Sequence, residues 1–247
     1  MSKLIFLGCL SKKNYESTCQ NAIKLIQFLD SEYQVFDDVP CCGSLLYHTS
    51  LKEEQIEHQR YVNEWFKERK VSEIVTICAG CYNYLSTNYK ENLGDDFTIK
   101  VQHLLQFVNS PDNLKKLNLK YNGKKLKIAY HDPCHLRCAS TPIIEEPRTI
   151  IASIDSKLKL KEMENNHMDS LCCGSGGGVY SIFKENSDFN TDLIFKQAKK
   201  VQAKVLLTPC PFCYTALKRI KEENKIRIPI MKFEDFLIKV MNGGEIV

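Results

Sequence analysis

Twelve cysteines stand among 247 residues, and their spacing is where chemistry is to be sought. "PCCGSLLYHTS" (40–50) and "LCCGSGGGVYS" (171–181) each run two adjacent thiols into a glycine. Ten cysteines form two arrays of one pattern. Cys9 is followed by Cys41-Cys42 and Cys78-x-x-Cys81; Cys134 is followed by Cys172-Cys173 and Cys210-x-x-Cys213. The first gap is 32 residues (9 to 41) against 38 (134 to 172); the second is 36 (42 to 78) against 37 (173 to 210). In a reducing compartment such density points to metal binding or catalysis rather than to disulfides. Structural zinc takes four ligands in a closed tetrahedron, and ordinary iron–sulfur clusters also take four cysteines. Here each array offers five. Adjacent side chains diverge, so a Cys-Cys pair suits a multinuclear cluster better than one ion. The competing readings are two zinc sites, or buried thiols packing as small apolar groups; the fifth thiol argues against both.

Residues around the cysteines repeat too. "IVTICAGCYNYL" (74–85) matches "LLTPCPFCYTAL" (206–217), "IKVQHLLQFV" (99–108) matches "IPIMKFEDFL" (228–237), and "KLIFLGC" (3–9) matches "KIAYHDPC" (127–134). Gene duplication is the simplest account, with units 1–121 and 122–247 meeting at the turn signal Tyr121-Asn122-Gly123. Strands are expected at 4–7, 33–36, 73–77 and 98–101, and again at 126–130, 158–163, 204–208 and 227–230. Helical periodicity covers 18–29, 51–70, 192–200 and 212–223. The expected fold is therefore α/β: two pseudo-symmetric repeats, each a small, mostly parallel sheet flanked by helices. In such sheets ligands bind beyond the carboxyl ends of the strands. Cys9, Cys78, Cys134 and Cys210 each follow a predicted strand, so the five thiols of each half are expected to converge at one edge. The Cys-x-x-Cys pairs open predicted helices, where the N-terminal dipole favours thiolate. Gly43 and Gly174, with Gly176, Gly177 and Gly178, are expected to let backbone approach a bulky ligand. The glycine string lacks the spacing of a dinucleotide fingerprint.

Hydrophobic residues are 43% and charged residues 26% of the chain, ordinary for a soluble globular protein. The formal charge of +4 is spread out, and the one dense basic run, 114–127, reads as a solvated linker or helix face, so no nucleic-acid partner is expected. No apolar run reaches membrane-spanning length, and the N-terminus reads as a strand rather than a secretory signal. A cytoplasmic location without direct membrane insertion is expected. No ferredoxin spacing, flavin or nicotinamide fingerprint or haem motif is present.

The pattern Cys, Cys-Cys-Gly, Cys-x-x-Cys resembles the cysteine-rich CCG domain that occurs in tandem in heterodisulfide reductase. "HDPCHL", "EEPRTII", "LCCGSGGGV" and "TPCPFCYTAL" look like the catalytic part of its D-type subunit, and "CCGSLLYHT" and "ICAGCYNYL" fit the same type. The two-domain length without a ferredoxin module looks like its B-type subunit. The resemblance implies two noncubane [4Fe-4S] clusters that split the coenzyme M–coenzyme B disulfide of methanogenesis between them. Carried over, Cys9, Cys41, Cys42, Cys78 and Cys81 would hold one cluster; Cys134, Cys172, Cys173, Cys210 and Cys213 the other. A small-molecule disulfide is the implied substrate, at the interface of the halves. A ferredoxin-type iron–sulfur subunit, and a flavoprotein subunit, are the implied electron-supplying partners. Related tandem domains serve in thiol:fumarate reductase and in succinate, lactate and glycolate oxidising complexes, so an electron-transfer role is the alternative. A zinc-stabilised interaction module is the third.

Other residues have milder readings. His135, beside Cys134, is a candidate proton donor to a departing thiolate; His131 is read as a loop residue that orders backbone. His48 is a weaker candidate. Arg148 is expected in an ion pair with Glu145 or Glu162, and Cys19 on the apolar side of a helix. Cys138 has no counterpart in the first half and is left out of the ligand set. Tyr61 and Trp65 are expected to pack.

Overall fold

The computed structural model describes residues 1–241 and 243–246. Two four-stranded sheets, one per half, are built the same way. The first has β1 (Ser2–Phe6), β2 (Tyr33–Gln34), β3 (Val71–Thr76) and β4 (Lys100–His103) in the order β2-β1-β3-β4. The second has β5 (Leu126–Tyr130), β6 (Leu158–Leu160), β7 (Val205–Thr208) and β8 (Ile230–Lys232) in the order β6-β5-β7-β8. Every pairing is parallel. Parallel pairing requires crossovers, and helices supply them; Leu4, Ile5, Ile128 and Val205–Leu207 are consequently buried on both faces. In each sheet the strand order reverses between the first and third strands, and the crevice of such a sheet opens there. Cys9 follows β1 and Cys78 follows β3, so the topology sets them on either side of that crevice. Cys134 and Cys210 repeat the placement after β5 and β7.

One core runs through both halves, from Ile5, Ile26 and Val75 to Ile128, Leu206 and Phe236. Polar contacts also cross between them. Thr18 and Asn21 donate to Asp235 at 2.9 and 2.8 Å, and the hydroxyls of Tyr15 and Thr215 meet at 2.6 Å. The Tyr82 hydroxyl donates to the carbonyl of Thr141 at 2.9 Å. A smaller cluster built on Leu4, Phe6, Trp65 and Phe66 takes in Cys42, Cys78 and Cys81. No helix among the described residues is long and apolar enough to cross a membrane.

All eight expected strands are present; β5 keeps its expected bounds and the other seven have shifted ends. The β2 and β6 strands are shorter than expected, because the chain turns toward the cysteine pairs once pairing with β1 and β5 ends. The β4 strand begins at Lys100, not 98, and β8 at Ile230, not 227. Pairing with β3 and β7 sets those limits, and it recruits Gln102, His103 and Lys232, whose polarity hides a strand. The helix expected at 192–200 starts at Lys184, since the Ser, Asn and Asp of its first half are weak helix formers. The basic run holds a helix, Pro111–Leu117, and the segment buries Leu117, Leu119 and Tyr121.

His103 ends β4 and caps the Leu104–Val108 helix: Nδ1 accepts from the Leu105 amide at 3.2 Å. Nε2 therefore carries the proton in the neutral ring, and it has no partner among the described residues. Burial pushes its pKa down to about 3. Protonation charges a dry site and breaks the cap. The unfolded chain binds this proton near pH 6.5, so the stabilising contribution is whole above that pH and is lost as pH falls toward 3. His103→Asn keeps a cap and removes the titration. Denaturant midpoints against pH are expected to fall less steeply in that variant, by up to about 1.4 kcal/mol per pH unit.

Candidate functional site

Each cysteine nest is assembled from three segments at the carboxyl edge of its sheet. After β1, Gly8 caps a helix that Cys9 opens; after β3, Cys78 caps the Ala79–Asn83 helix, with Cys81 inside it. Cys41 and Cys42 lie in the loop after β2. In the second half Cys134 opens the Cys134–Arg137 helix, Cys210 caps the Pro211–Glu223 helix with Cys213 inside it, and Cys172 and Cys173 lie in the loop beyond β6.

The two nests share their geometry. Cys41 and Cys9 sulfurs are 3.8 Å apart and Cys42 and Cys81 sulfurs 3.3 Å; Cys172–Cys134 is 3.6 Å and Cys173–Cys213 is 3.3 Å. A disulfide would bring sulfurs to about 2.05 Å. Two thiolates on one tetrahedral metal at about 2.3 Å stand about 3.8 Å apart, so Cys9–Cys41 and Cys134–Cys172 have the spacing of ligands sharing a metal, and the Cys42–Cys81 and Cys173–Cys213 pairs are tighter. Among the described residues no three His, Cys, Asp or Glu side chains gather tightly enough for a single ion; the close contacts run in pairs. Cys42, Cys78 and Cys81 are buried, as are Cys173, Cys210 and Cys213. Cys9, Cys41 and Cys172 are exposed and Cys134 is partly so. Each nest thus has a dry floor of three thiols and an open rim of two.

Backbone donors aim at the rim. The Gly43 amide donates to Cys41 Sγ at 3.5 Å and the Gly174 amide to Cys172 Sγ at 3.4 Å. The Cys41 thiol is pulled down to about 2, foremost by hydrogen bonds from Cys42 and Cys9, with the Gly43 amide helping. Cys172 falls to about 2 in the same way through Cys134, Cys173 and the Gly174 amide. On the floor, Cys81 and Cys213 are pushed well up, first by Cys42 and Cys173, then by the other Cys of their own motif and by burial. Neighbouring thiols and a backbone amide thus favour thiolate at one rim sulfur of each nest, and a cationic guest would displace the remaining thiol protons.

Three of the glycines make room for the protein's own chain. A Cβ on Gly174 would lie 2.9 Å from Ser187 Cα, and one on Gly177 2.8 Å from His48 Cδ2, while a Cβ on Gly43 would run into the His58 ring. Gly176 and Gly178 meet no such clash, and with Gly177 they face the cavity between the halves. The residue that spacing missed is Gly8. Its φ of 79° and ψ of 148° suit only glycine, and a Cβ there would sit 3.2 Å from Cys81 Sγ. Gly8→Ala is expected to destabilise by about 1–3 kcal/mol in denaturant titration; an unchanged midpoint would contradict this placement.

Between the halves lies a cavity of about 360 Å³. All five cysteines of the first array line it, and the second half contributes the Ser175–Gly178 backbone, His135 and Phe212. No cysteine of the second array is on its wall among the described residues. His135 is wedged between the halves: Cβ atoms on Gly80 and Gly176 would each lie 3.6 Å from its ring. His48 lines the same cavity with its ring centroid 6.3 Å from that of His135. Burial holds the pKa of His135 below its ordinary value, helped by His48.

His131 lies in the loop after β5, as expected, but its ring holds no backbone group. It is fully buried, neither ring nitrogen has a partner among the described residues, and burial pushes its pKa down to about 4. Arg148 pairs with Glu162 at 2.9 Å as expected, but also in bidentate fashion with Asp132 at 2.8 and 2.9 Å; Glu145 instead faces His167. Trp65 packs against Phe36, whereas Tyr61 is 61% exposed and packs little, because it faces outward from its helix. Cys19 is a buried core thiol, and Cys138 is exposed.

The fold and the paired nests define a tandem cysteine-rich module. The chain belongs to the cysteine-rich CCG domain family, whose model matches residues 4–86 and 128–218. It is 32% identical over 243 residues to an uncharacterized iron–sulfur protein of Methanocaldococcus jannaschii, covering 96% of this chain and 46% of that one. It is 27% identical over 240 residues to the D-type subunit of the dihydromethanophenazine:CoB–CoM heterodisulfide reductase of Methanosarcina acetivorans (95% of this chain, 57% of that one). It is 28% identical over 236 residues to the B-type subunit of the CoM/CoB fumarate reductase of Methanothermobacter marburgensis (94% and 45%). The chain spans about half the length of the curated relatives it matches. A hypothetical protein from Helicobacter pylori shares the fold at a TM-score of 0.67 and 11% identity, covering 99% of this chain and 49% of that one.

Proposed function

We propose that the chain is the iron–sulfur catalytic part of a heterodisulfide reductase-type complex, built from units 1–121 and 122–247. The observation that carries this reading is the matched pair of nests: five thiols each, with sulfur contacts of 3.3–3.8 Å in the same pairs. Cys9, Cys41, Cys42, Cys78 and Cys81 would hold one noncubane [4Fe-4S] cluster, and Cys134, Cys172, Cys173, Cys210 and Cys213 the other. Five soft sulfur donors with a dry floor and backbone N–H groups at the rim suit such a group. When bound, two clusters supply the two electrons that disulfide cleavage takes.

The protein's own residues shape the rest. The cavity brings a small-molecule disulfide against the first nest, with Phe212 and Leu45 offering apolar surface to its organic arms. His135 and His48 stand on the same wall, where an imidazole can pass a proton to a departing thiolate. Electrons arrive from partners: a ferredoxin-type iron–sulfur subunit, and a flavoprotein subunit. The test is titration of the anaerobically loaded protein with candidate disulfides, the coenzyme M–coenzyme B type first, under paramagnetic resonance. A disulfide-dependent signal is expected, and it disappears in Cys81→Ser. Clusters that reduce and reoxidise with no disulfide-dependent signal would instead favour an electron-transfer subunit of a thiol:fumarate reductase, succinate, lactate or glycolate dehydrogenase-type complex. Similarity to the fumarate reductase subunit favours that second reading.

A further inference from the structure

Lys232 closes β8, opposite Thr208 of β7 and close in space to Cys210. It is 1% exposed, and Nζ has no hydrogen-bond partner among the described residues. Its ammonium lies 3.7 Å from the centroid of the Tyr15 ring and 5.5 Å from that of Tyr214. Tyr15 follows the helix that Cys9 opens, and Tyr214 follows Cys213. The ammonium is therefore flanked by one tyrosine from each half of the chain.

Its electrostatic neighbours are Glu234, Asp235, Cys19 and Cys210; Cys78 of the other nest is drawn down chiefly by its hydrogen bond with Cys81 and by backbone amides, with Lys232 adding a smaller pull. Asp235 is committed to Thr18 and Asn21. Glu234 is pushed up to about 8 by burial, against the pull of Lys232. No carboxylate among the described residues is hydrogen-bonded to the ammonium. Burial lowers the pKa of Lys232, while Glu234, Asp235, Cys19 and Cys210 oppose that. The tyrosine faces return part of the desolvation cost. Anionic groups on both sides are the remaining compensation the site can offer. In the internal repeat the same position is His103, which ends β4 and is held neutral.

We infer that Lys232 is the shared counter-charge of the two nests, raising the reduction potential of the iron–sulfur group in each. The inference rests on the proposed function, and it makes Lys232 a positioning residue for charge rather than a ligand. A nearby positive charge stabilises the reduced, more negative state of such a group.

The test is a redox titration of anaerobically loaded protein followed by paramagnetic resonance, with Lys232→Met and Lys232→Arg beside the parent. Iron and sulfide are counted first in each. The expected result is a Met variant with full iron content whose two signals both titrate at lower potential, and an Arg variant restored toward the parent. A loaded Met variant with unshifted potentials overturns the inference. Where the Met variant fails to load, the Arg variant decides: loading supports a role for charge, and failure overturns it in favour of shape. A parent that holds no iron defeats the proposed function instead, a distinguishable result.

Discussion

Cys81→Ser and Cys213→Ser are each expected to strip one nest of iron, halving the iron content per chain, and to abolish turnover. Both residues are on a buried floor: 3% and 2% exposed, with the Cys42 and Cys173 sulfurs at 3.3 Å. A serine hydroxyl there is a hard donor that no longer matches soft thiolate chemistry. The neighbouring sulfur also loses its partner in a buried site. Iron analysis of the two variants separates the nests, because the loss in one leaves the other in its own sheet. Turnover by either variant at the parent's rate would remove the two-nest account. Cys138→Ser is the matched control: that thiol is exposed, and its loss is expected to leave iron unchanged.

The second large effect concerns Arg148. Its guanidinium is 10% exposed and Asp132 is 2% exposed, and the two pair through both nitrogens and both oxygens. Asp132 also accepts from the His167 amide at 3.0 Å, so one carboxylate ties the loop before Cys134 to the loop beyond β6. Arg148→Met leaves that carboxylate buried and uncompensated, which costs about 3–5 kcal/mol. Lys at this position keeps the charge but not the fork, and is expected to recover only part. Denaturant unfolding reads the loss, and pairing Arg148→Met with Asp132→Asn should return a fraction of it. A shift under about 1 kcal/mol in the single variant would mean the pair behaves as an exposed one.

The cysteine spacing makes the two nests legible because strand ends, helix starts and thiols fall at matching places in both halves. The alternating strands and helices likewise give two parallel sheets, and parallel topology alone puts Cys9 beside Cys78 and Cys134 beside Cys210. What spacing hides is packing across the halves. Gly8 reads as an ordinary loop glycine until Cys81 stands behind it. The Ser175–Gly178 string reads as a ligand cradle, yet Gly177 makes room for His48 of the other half. Nothing in a linear reading marks His131 or Lys232 as buried, and tertiary contacts bury both. Asp132 escapes such a reading because its partner lies 16 residues away and its meaning depends on being dry.

The most direct measurement of the central claim is iron and acid-labile sulfide in protein isolated without oxygen. Two occupied four-iron nests predict about eight iron and about eight sulfide per chain, with visible colour that bleaches on reduction. Colourless protein without iron, or protein holding zinc alone, would contradict it.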